Sequence, residues 1–452
     1  MSVPSPQEWW RPEAPAAGRP AAGAAIAAPG PAASPVPFAA LIAFTFVLLL
    51  APQNYVPILS TIRIALLVAV ISMASHVYDR LRRGQPLTIV TAEIRITGYI
   101  LAWALATLPF SYWPGGSVGV LLDLYLKTLV VFMLIANTVN TTARLRIVAV
   151  ALALMAVPIS FSGVNAFLSG AYMGDDPAQS VKRIIGYEGA LTKNPNDLAL
   201  ILNLIIPLTL ALVFIARRAM IRAALLAAVG LQAAAVVITF SRAGFLSLAS
   251  IVAAYFWAVR KRPERTWVYG GIVLLVAALP LLPGSYLTRL STITNIEADS
   301  TGSAQNRHKQ QVAAMHYVLT HPIIAAGIGM NVLALQEEMG DWLYIHNVFL
   351  QYAADLGFPG LILYVYLLVT TFRTTGYVQT RTANASEHRD LFFLAVGIRT
   401  SLVAFTISAF FSPVAYHFQF YYFAGLATAL RVVYDRLAPG SGAAGGAIPC
   451  PS

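Results

Sequence analysis

The sequence predicts an all-α polytopic membrane protein of about twelve transmembrane helices, with a large, partly helical outer loop between the ninth and tenth. Three observations predict it. Apolar residues make up 58% of the 452 and charged residues 11%, and the mean hydropathy is +0.69, far from the mix of a soluble domain. Apolar runs of about 17–25 residues recur along the whole chain, each long enough as a helix to cross about 30 Å of hydrocarbon. The arginines and lysines fall in alternate loops, as the cytoplasmic bias of cationic residues requires. The runs lack the two-residue alternation of outer-membrane strands, which argues against a β-barrel.

In chain order, residues 1–36 are dense in Pro and Ala and are expected to stay disordered on the cytoplasmic side. No short apolar segment with a convincing cleavage site precedes the first span, so no removable signal peptide is expected. Nine spans are placed within 37–283, near 38–52, 57–77, 88–109, 118–138, 147–168, 197–215, 223–240, 244–259 and 268–283. The stretch 284–345 is the large loop. Three further spans near 347–372, 391–411 and 418–435 fill 346–437, and 438–452 is a second disordered cytoplasmic tail.

With both termini cytoplasmic, one set of loops carries Arg80, Arg82 and Arg83, then Arg144 and Arg146, then Arg217, Arg218 and Arg222. It continues with Arg260, Lys261, Arg262 and Arg265, then Arg373, Arg381 and Arg389. The opposite short loops 52–56, 110–117 and 412–417 hold no Lys or Arg, and a tight turn holds only Arg242. Two longer segments, 169–196 and 284–345, then lie outside. Their Lys182, Arg183, Lys193, Arg289, Arg307 and Lys309 run against the charge rule, either because they bind something or because they pair with Asp175, Asp176, Glu297 or Glu337. The sole cysteine, Cys450, lies in the tail, which excludes internal disulfides and a thiol nucleophile in a core site. The net charge of +11, mostly cytoplasmic, suits anionic membrane lipids, and nothing calls for nucleic acid.

No GxxxxGK[ST], HExxH, paired CxxC or GxSxG pattern occurs, which removes the usual nucleotide, zinc and serine-hydrolase readings. The outer carboxylates form no DxD pair, so no metal is expected. Histidine and arginine remain. His346, in Tyr344-Ile345-His346-Asn347, stands where the outer loop meets an apolar run. Imidazole there suits a general base near neutral pH; the alternative is an interfacial helix-start residue. Nine residues on, Asp355 falls inside a span, where a carboxylate is functional or paired by default. Arg242, in Phe240-Ser241-Arg242-Ala243-Gly244, has no topological reason to be outside. Its planar fork matches phosphate oxygens, unless it merely snorkels from a tight turn. Arg307 and Arg183 add cations from the two outer loops. Together they suffice to neutralise a lipid diphosphate without a metal.

Other histidines are weaker candidates. His76 and His388 lie at cytoplasmic edges. His308, His316 and His321 belong to a helical stretch over 304–321, where Val312, Met315 and Leu319 form an apolar stripe. His417 shares an outer loop with Tyr416 and precedes Tyr421 and Tyr422, which suggests an aromatic belt. Asp123 and Lys127 are spaced to pair along a helix. Arg63 and Arg399 are intramembrane cations without an evident role, either of which could guide a lipid phosphate or neutralise Asp355.

Four patterns together resemble the O-antigen ligase and polymerase family of bacterial envelope glycosyltransferases. They are Asn194-Pro195-Asn196-Asp197, Ser241-Arg242-Ala243-Gly244, the Arg307 … Pro322 … Gly327-Ile328-Gly329 stretch, and the run from His346 to Gly360. The similarity covers about residues 180–370, and the twelve-span plan agrees over the full length. The resemblance implies a GT-C-like glycosyltransferase in the bacterial inner membrane with a periplasmic site. His346 would be the catalytic base, and Arg242 and Arg307 would contact the diphosphate; Arg183 is a further diphosphate candidate on its charge and placement. It implies an undecaprenyl-diphosphate-linked glycan as donor, lipid A–core as acceptor, inversion at the anomeric carbon, and no cofactor. Two alternatives stand beside this ligase reading. One is an O-antigen polymerase using the same donor. The other is a twelve-span secondary transporter, which predicts repeated halves that the sequence does not display.

Overall fold

The computed structural model describes residues 34–173, 183–189, 191–278, 303–340 and 344–438. Apart from 34–36 and 438, the two terminal stretches expected to be disordered lie outside the described residues, as do Asp175, Asp176, Lys182, Arg289 and Glu297. The helices, in order, are α1 (Pro35–Leu50), α2 (Pro57–Thr61), α3 (Ile64–Arg82), α4 (Ala92–Thr107), α5 (Pro114–Val120), α6 (Leu126–Thr138), α7 (Thr142–Leu168) and α8 (Pro195–Ile215). Then come α9 (Ala219–Ile238), α10 (Arg242–Val259), α11 (Arg265–Ala278), α12 (Ser303–Thr320), α13 (Asn331–Met339), α14 (Val348–Thr382), α15 (Arg389–Ala409) and α16 (Phe418–Leu437). Among the described residues, strand is confined to Tyr172–Met173 and Arg183–Ile184, paired antiparallel. Among the described residues, eight helical segments are long and apolar enough to cross a membrane: α3, the joined α5–α6, and α7, α8, α9, α10, α14 and α15. The protein is an all-α polytopic membrane protein.

Hydropathy locates these helices, but side-chain caps set where they start. Thr141 accepts the Arg144 N–H at 3.1 Å and opens α7, five residues ahead of the apolar run at 147. Asn194 accepts the Asn196 N–H at 2.8 Å, with Pro195 at the first helical position. Ser241 accepts from Gly244 at 3.2 Å. Asn347 accepts from Phe349 at 2.9 Å and Leu350 at 3.2 Å. Each satisfies N–H groups that a helix start otherwise leaves unpaired. The apolar helix α8 packs against α7, α9, α10 and α15, and its near-continuous burial explains why it is apolar all round.

The tenth span departs most from its expected form. Instead of a straight run over 347–372, α14 continues to Thr382 and breaks at Gly357, whose φ is 68° and ψ −175°. That conformation belongs essentially to glycine, and a Cβ there would lie 2.3 Å from the Ile323 carbonyl oxygen. Pro359 has no N–H, and the Phe358 N–H turns to the Pro322 carbonyl at 2.8 Å. Three helix carbonyls are thereby released, and each finds another donor. Ala354 accepts the Ala326 N–H at 3.0 Å and Asp355 accepts the Gly327 N–H at 2.8 Å. Leu356 accepts Trp103 Nε1–H at 2.8 Å. The break is therefore a socket that ties the stretch 322–327 and α4 to α14.

Around that socket α12 and α13 build a small core of their own, with Ala314, Tyr317, Val318 and Leu335 against Ala353 and Ala354 of α14. The apolar stripe of α12 faces away from this core: Val312, Met315 and Leu319 are 57%, 48% and 64% exposed. Periodicity finds an apolar stripe but not the medium it meets, and here small and aromatic residues one position away make the packing. The aromatic belt expected around His417 is also corrected. Tyr416, Tyr421 and Tyr422 are buried, and the Tyr421 hydroxyl bonds those of Tyr125 and Tyr352, each at 2.9 Å. The Tyr422 hydroxyl instead meets Thr45 Oγ1 at 3.1 Å; buried phenols need such partners.

Candidate active site

Three of the four capped starts converge at one end of the bundle. Asn203 Nδ2–H donates to the Gly244 carbonyl at 2.9 Å, and a Cβ on Gly244 would fall 2.7 Å from that of Ala199. The first turn of α10, with Arg242, thus lies on the first turns of α8. One turn further, Ser247 Oγ meets Ser408 Oγ of α15 at 2.8 Å. Just beyond α15, the Phe410 ring lies 4.8 Å from Phe349 in the first turn of α14, three residues after His346. Arg242 and His346 therefore stand at the same end, linked through the last turn of α15. Arg183 joins them from the short strand pair: its Nη2–H donates to Asn196 Oδ1 at 2.8 Å, at the start of α8. The N-termini of α8, α10 and α14 bring their partial positive charge to this face as well.

His346 is half-buried, and its hydrogen bonds fix its tautomer. Nδ1 lies 2.8 Å from the Tyr344 carbonyl, which can only accept, so Nδ1 carries the proton. Gln310 Oε1 at 3.2 Å shares that proton. The lone pair is then on Nε2, which makes no hydrogen bond among the described residues. Burial holds the imidazole below its ordinary value of 6.5, and the nearby Arg307 guanidinium lowers it further, against a smaller opposing effect of the Tyr344 bond. Arg307 and His346 are thus electrostatic neighbours. Arg307 stands one turn before Gln310 on the inward face of α12, which also presents Ala314 and Tyr317. Sequence reasoning missed Gln310, although its i+3 spacing from Arg307 places both on one face.

Phe240, ahead of the Ser241 cap, adopts φ 53°. For a bulky residue this left-handed conformation costs on the order of 1–3 kcal/mol. It turns the chain sharply between α9 and α10, so that Arg242 starts a new helix at the same end of the bundle as His346.

Residues 223–365 match the family model described as O-antigen ligase. That stretch of the chain is similar to O-antigen ligases. Within the matched stretch lie Arg242, Arg307, His346 and Asp355, whereas Arg183 and the start of α8 precede it. No curated protein matches the chain.

Asp355, fully buried within the matched stretch, is not neutralised by an arginine. Its Oδ1 accepts the backbone N–H of Asn331 at 2.7 Å and Asn331 Nδ2–H at 3.1 Å, with Oδ2 3.2 Å from the same amide. Met330 offers α13 no side-chain cap, so Asp355 caps α13 from another helix. The expected alternative, Arg399, donates instead to Gln379 Oε1 at 3.0 Å, well down α14, and Arg63 sits in a left-handed turn ahead of α3. Asp123 and Lys127 do pair, at 3.1 Å. His417 opens α16 half-buried, with burial lowering its imidazole, and no described contact brings it to His346.

Proposed function

We propose that this protein transfers an O-antigen glycan from undecaprenyl diphosphate to a sugar hydroxyl of lipid A–core, at the periplasmic face of the bacterial inner membrane. The observation that carries the reading is the tautomer of His346, whose bonded Nδ1 leaves Nε2 as the base beside Arg307. The acceptor hydroxyl gives its proton to Nε2 while its oxygen forms a bond to the anomeric carbon. The bond from that carbon to the diphosphate oxygen breaks, and its electron pair leaves with the diphosphate. Arg307, Arg242 and Arg183, with the helix N-termini, stabilise the charge that grows on the leaving group. Displacement in one step inverts the anomeric carbon. No nucleotide sugar, cofactor or metal is assigned a part, because the diphosphate linkage holds the energy and cations neutralise it.

The twelve-span plan with a GT-C-like arrangement is part of this proposal. α1, α4, α11 and α16 supply the remaining crossings, and both termini are then cytoplasmic. The same residues would serve an O-antigen polymerase. The single dominant outer loop expected between spans nine and ten favours ligase.

The test is transfer in detergent from a lipid-diphosphate-linked glycan, with EDTA present and lipid A–core offered as acceptor. Glycosylated lipid A–core is expected. Elongated lipid-linked glycan in its place would make the protein a polymerase. No transfer in detergent, with substrate uptake in sealed vesicles, would return it to the transporter class.

A further inference from the structure

At the end of the bundle remote from His346, α7, α8 and α9 part to leave a groove of about 680 Å³, within the range of about 300–1,000 Å³ seen for small-molecule sites. Its walls are apolar, among them Ala153, Val157, Leu212, Leu225 and Ala228. Leu154 and Ile221 at its mouth are 66% and 49% exposed, so the groove opens sideways toward hydrocarbon. It follows α7 from Val150 to Val157, roughly 10 Å at 1.5 Å per residue.

Polar groups occur only at the rim: Arg146, Arg217, Arg218 and Asp390. Arg146 is ion-paired with Asp390. Arg217 and Arg218, in the turn between α8 and α9, are exposed and make no hydrogen bond or ion pair among the described residues. The rim therefore keeps two positive charges without a counter-ion. The turn is held in shape, because Arg222 donates to the Ala216 carbonyl at 2.8 Å and lies 5.8 Å over the Trp267 ring. α9 begins at this turn with no side-chain cap, leaving its first N–H groups facing the same rim. Arg146 stands roughly 33 Å along α7 from Leu168, near the catalytic end, so the groove is distinct from the transfer site.

We propose that this groove holds one anionic glycerophospholipid of the leaflet opposite the transfer site. Its phosphate sits on Arg217, Arg218 and the start of α9, and the upper part of an acyl chain lies between α7 and α9. The charge selects the occupant: two unmatched guanidinium groups above a dry apolar wall match an anionic headgroup on a hydrocarbon chain, and neither a zwitterionic lipid nor a polar peptide satisfies both parts. The proposal does not depend on the transfer chemistry.

Native mass spectrometry of the full chain in mild detergent tests it, with phosphatidylglycerol or phosphatidylcholine added back after delipidation. Wild type is expected to retain one phosphatidylglycerol per chain, with about a ten-fold preference over phosphatidylcholine. R217Q/R218Q should lose that preference, R217K/R218K should keep most of it, and R260Q/K261Q at another basic loop should keep all of it. L154W, which fills the groove mouth, should lower retention of both lipids; thermal unfolding of each variant separates these losses from misfolding. Equal retention of the two lipids by wild type overturns the proposal, and so does a preference that survives R217Q/R218Q. If soluble glycerol phosphate competes as well as the lipid, the apolar wall plays no part and the proposal fails.

Discussion

His346 Nδ1–H donates a hydrogen bond to the Tyr344 carbonyl at 2.8 Å, and this places the basic lone pair on Nε2. Burial and Arg307 both favour the neutral ring, which is the form a base needs. The sign of the pH dependence follows: transfer is lost as the imidazole protonates, so kcat/KM should fall on acidification through a midpoint below 6.5 and stay level just above it. Removing the neighbouring charge should move this limb toward higher pH. R307Q is therefore expected to raise the midpoint and, by losing a diphosphate contact, to lower kcat by about 10²–10³-fold. A midpoint unmoved in R307Q would mean that Arg307 does not act on His346. R242K keeps the charge but loses the two-pronged donor geometry. It should weaken donor use, and an unchanged kcat/KM for the lipid-linked donor would remove Arg242 from the diphosphate site.

At the scale of elements, the break in α14 organises the segment that holds α12 and α13. Gly357 allows it, and Asp355 uses it by capping α13 from across the socket. G357A should cost about 1–3 kcal/mol in backbone strain alone, beyond the clash with the Ile323 carbonyl, and should lower the unfolding temperature in detergent together with activity. D355L leaves the buried donors of Asn331 unpaired, about 1–3 kcal/mol, whereas D355N keeps one acceptor and should lie between D355L and wild type. Equal stability of all three would mean that the Asn331–Asp355 contact holds nothing in place. The sequence showed the parts of this socket but not their use. Asp355 was visible as a costly intramembrane carboxylate, yet its partner is an amide in a different segment, and no spacing rule links positions 331 and 355. The cap motifs were more legible, because an N-cap is a local event written in adjacent residues. Gln310 and the exposed face of α12 were not, since both depend on which side of that helix meets the fold.

For the whole molecule, the helical membrane class and most spans were readable from hydropathy, because a helix crossing hydrocarbon must be almost continuously apolar. Their assembly was not. The contacts through Ser408 and Phe410 that bring Arg242 and His346 to one end join segments far apart in sequence, Ser247 with Ser408 and Phe349 with Phe410. The twelve-span plan makes its own prediction. With Cys450 replaced by Ser, a cysteine at Ser169 should react with an impermeant thiol reagent from outside intact spheroplasts, and one at Ser386 only after permeabilisation. Both positions are exposed, so the reverse pattern would invert the topology and move His346 to the cytoplasm. The central claim is that His346 takes the acceptor proton at a site built for a lipid diphosphate, and one measurement tests it most directly: glycan transfer to lipid A–core in detergent by wild type and His346→Ala, side by side. Product from wild type, with a rate about 10²–10⁴-fold lower in the variant at unchanged thermal stability, is the predicted result. Equal rates from the two proteins would contradict it and leave His346 as a residue that merely starts a helix.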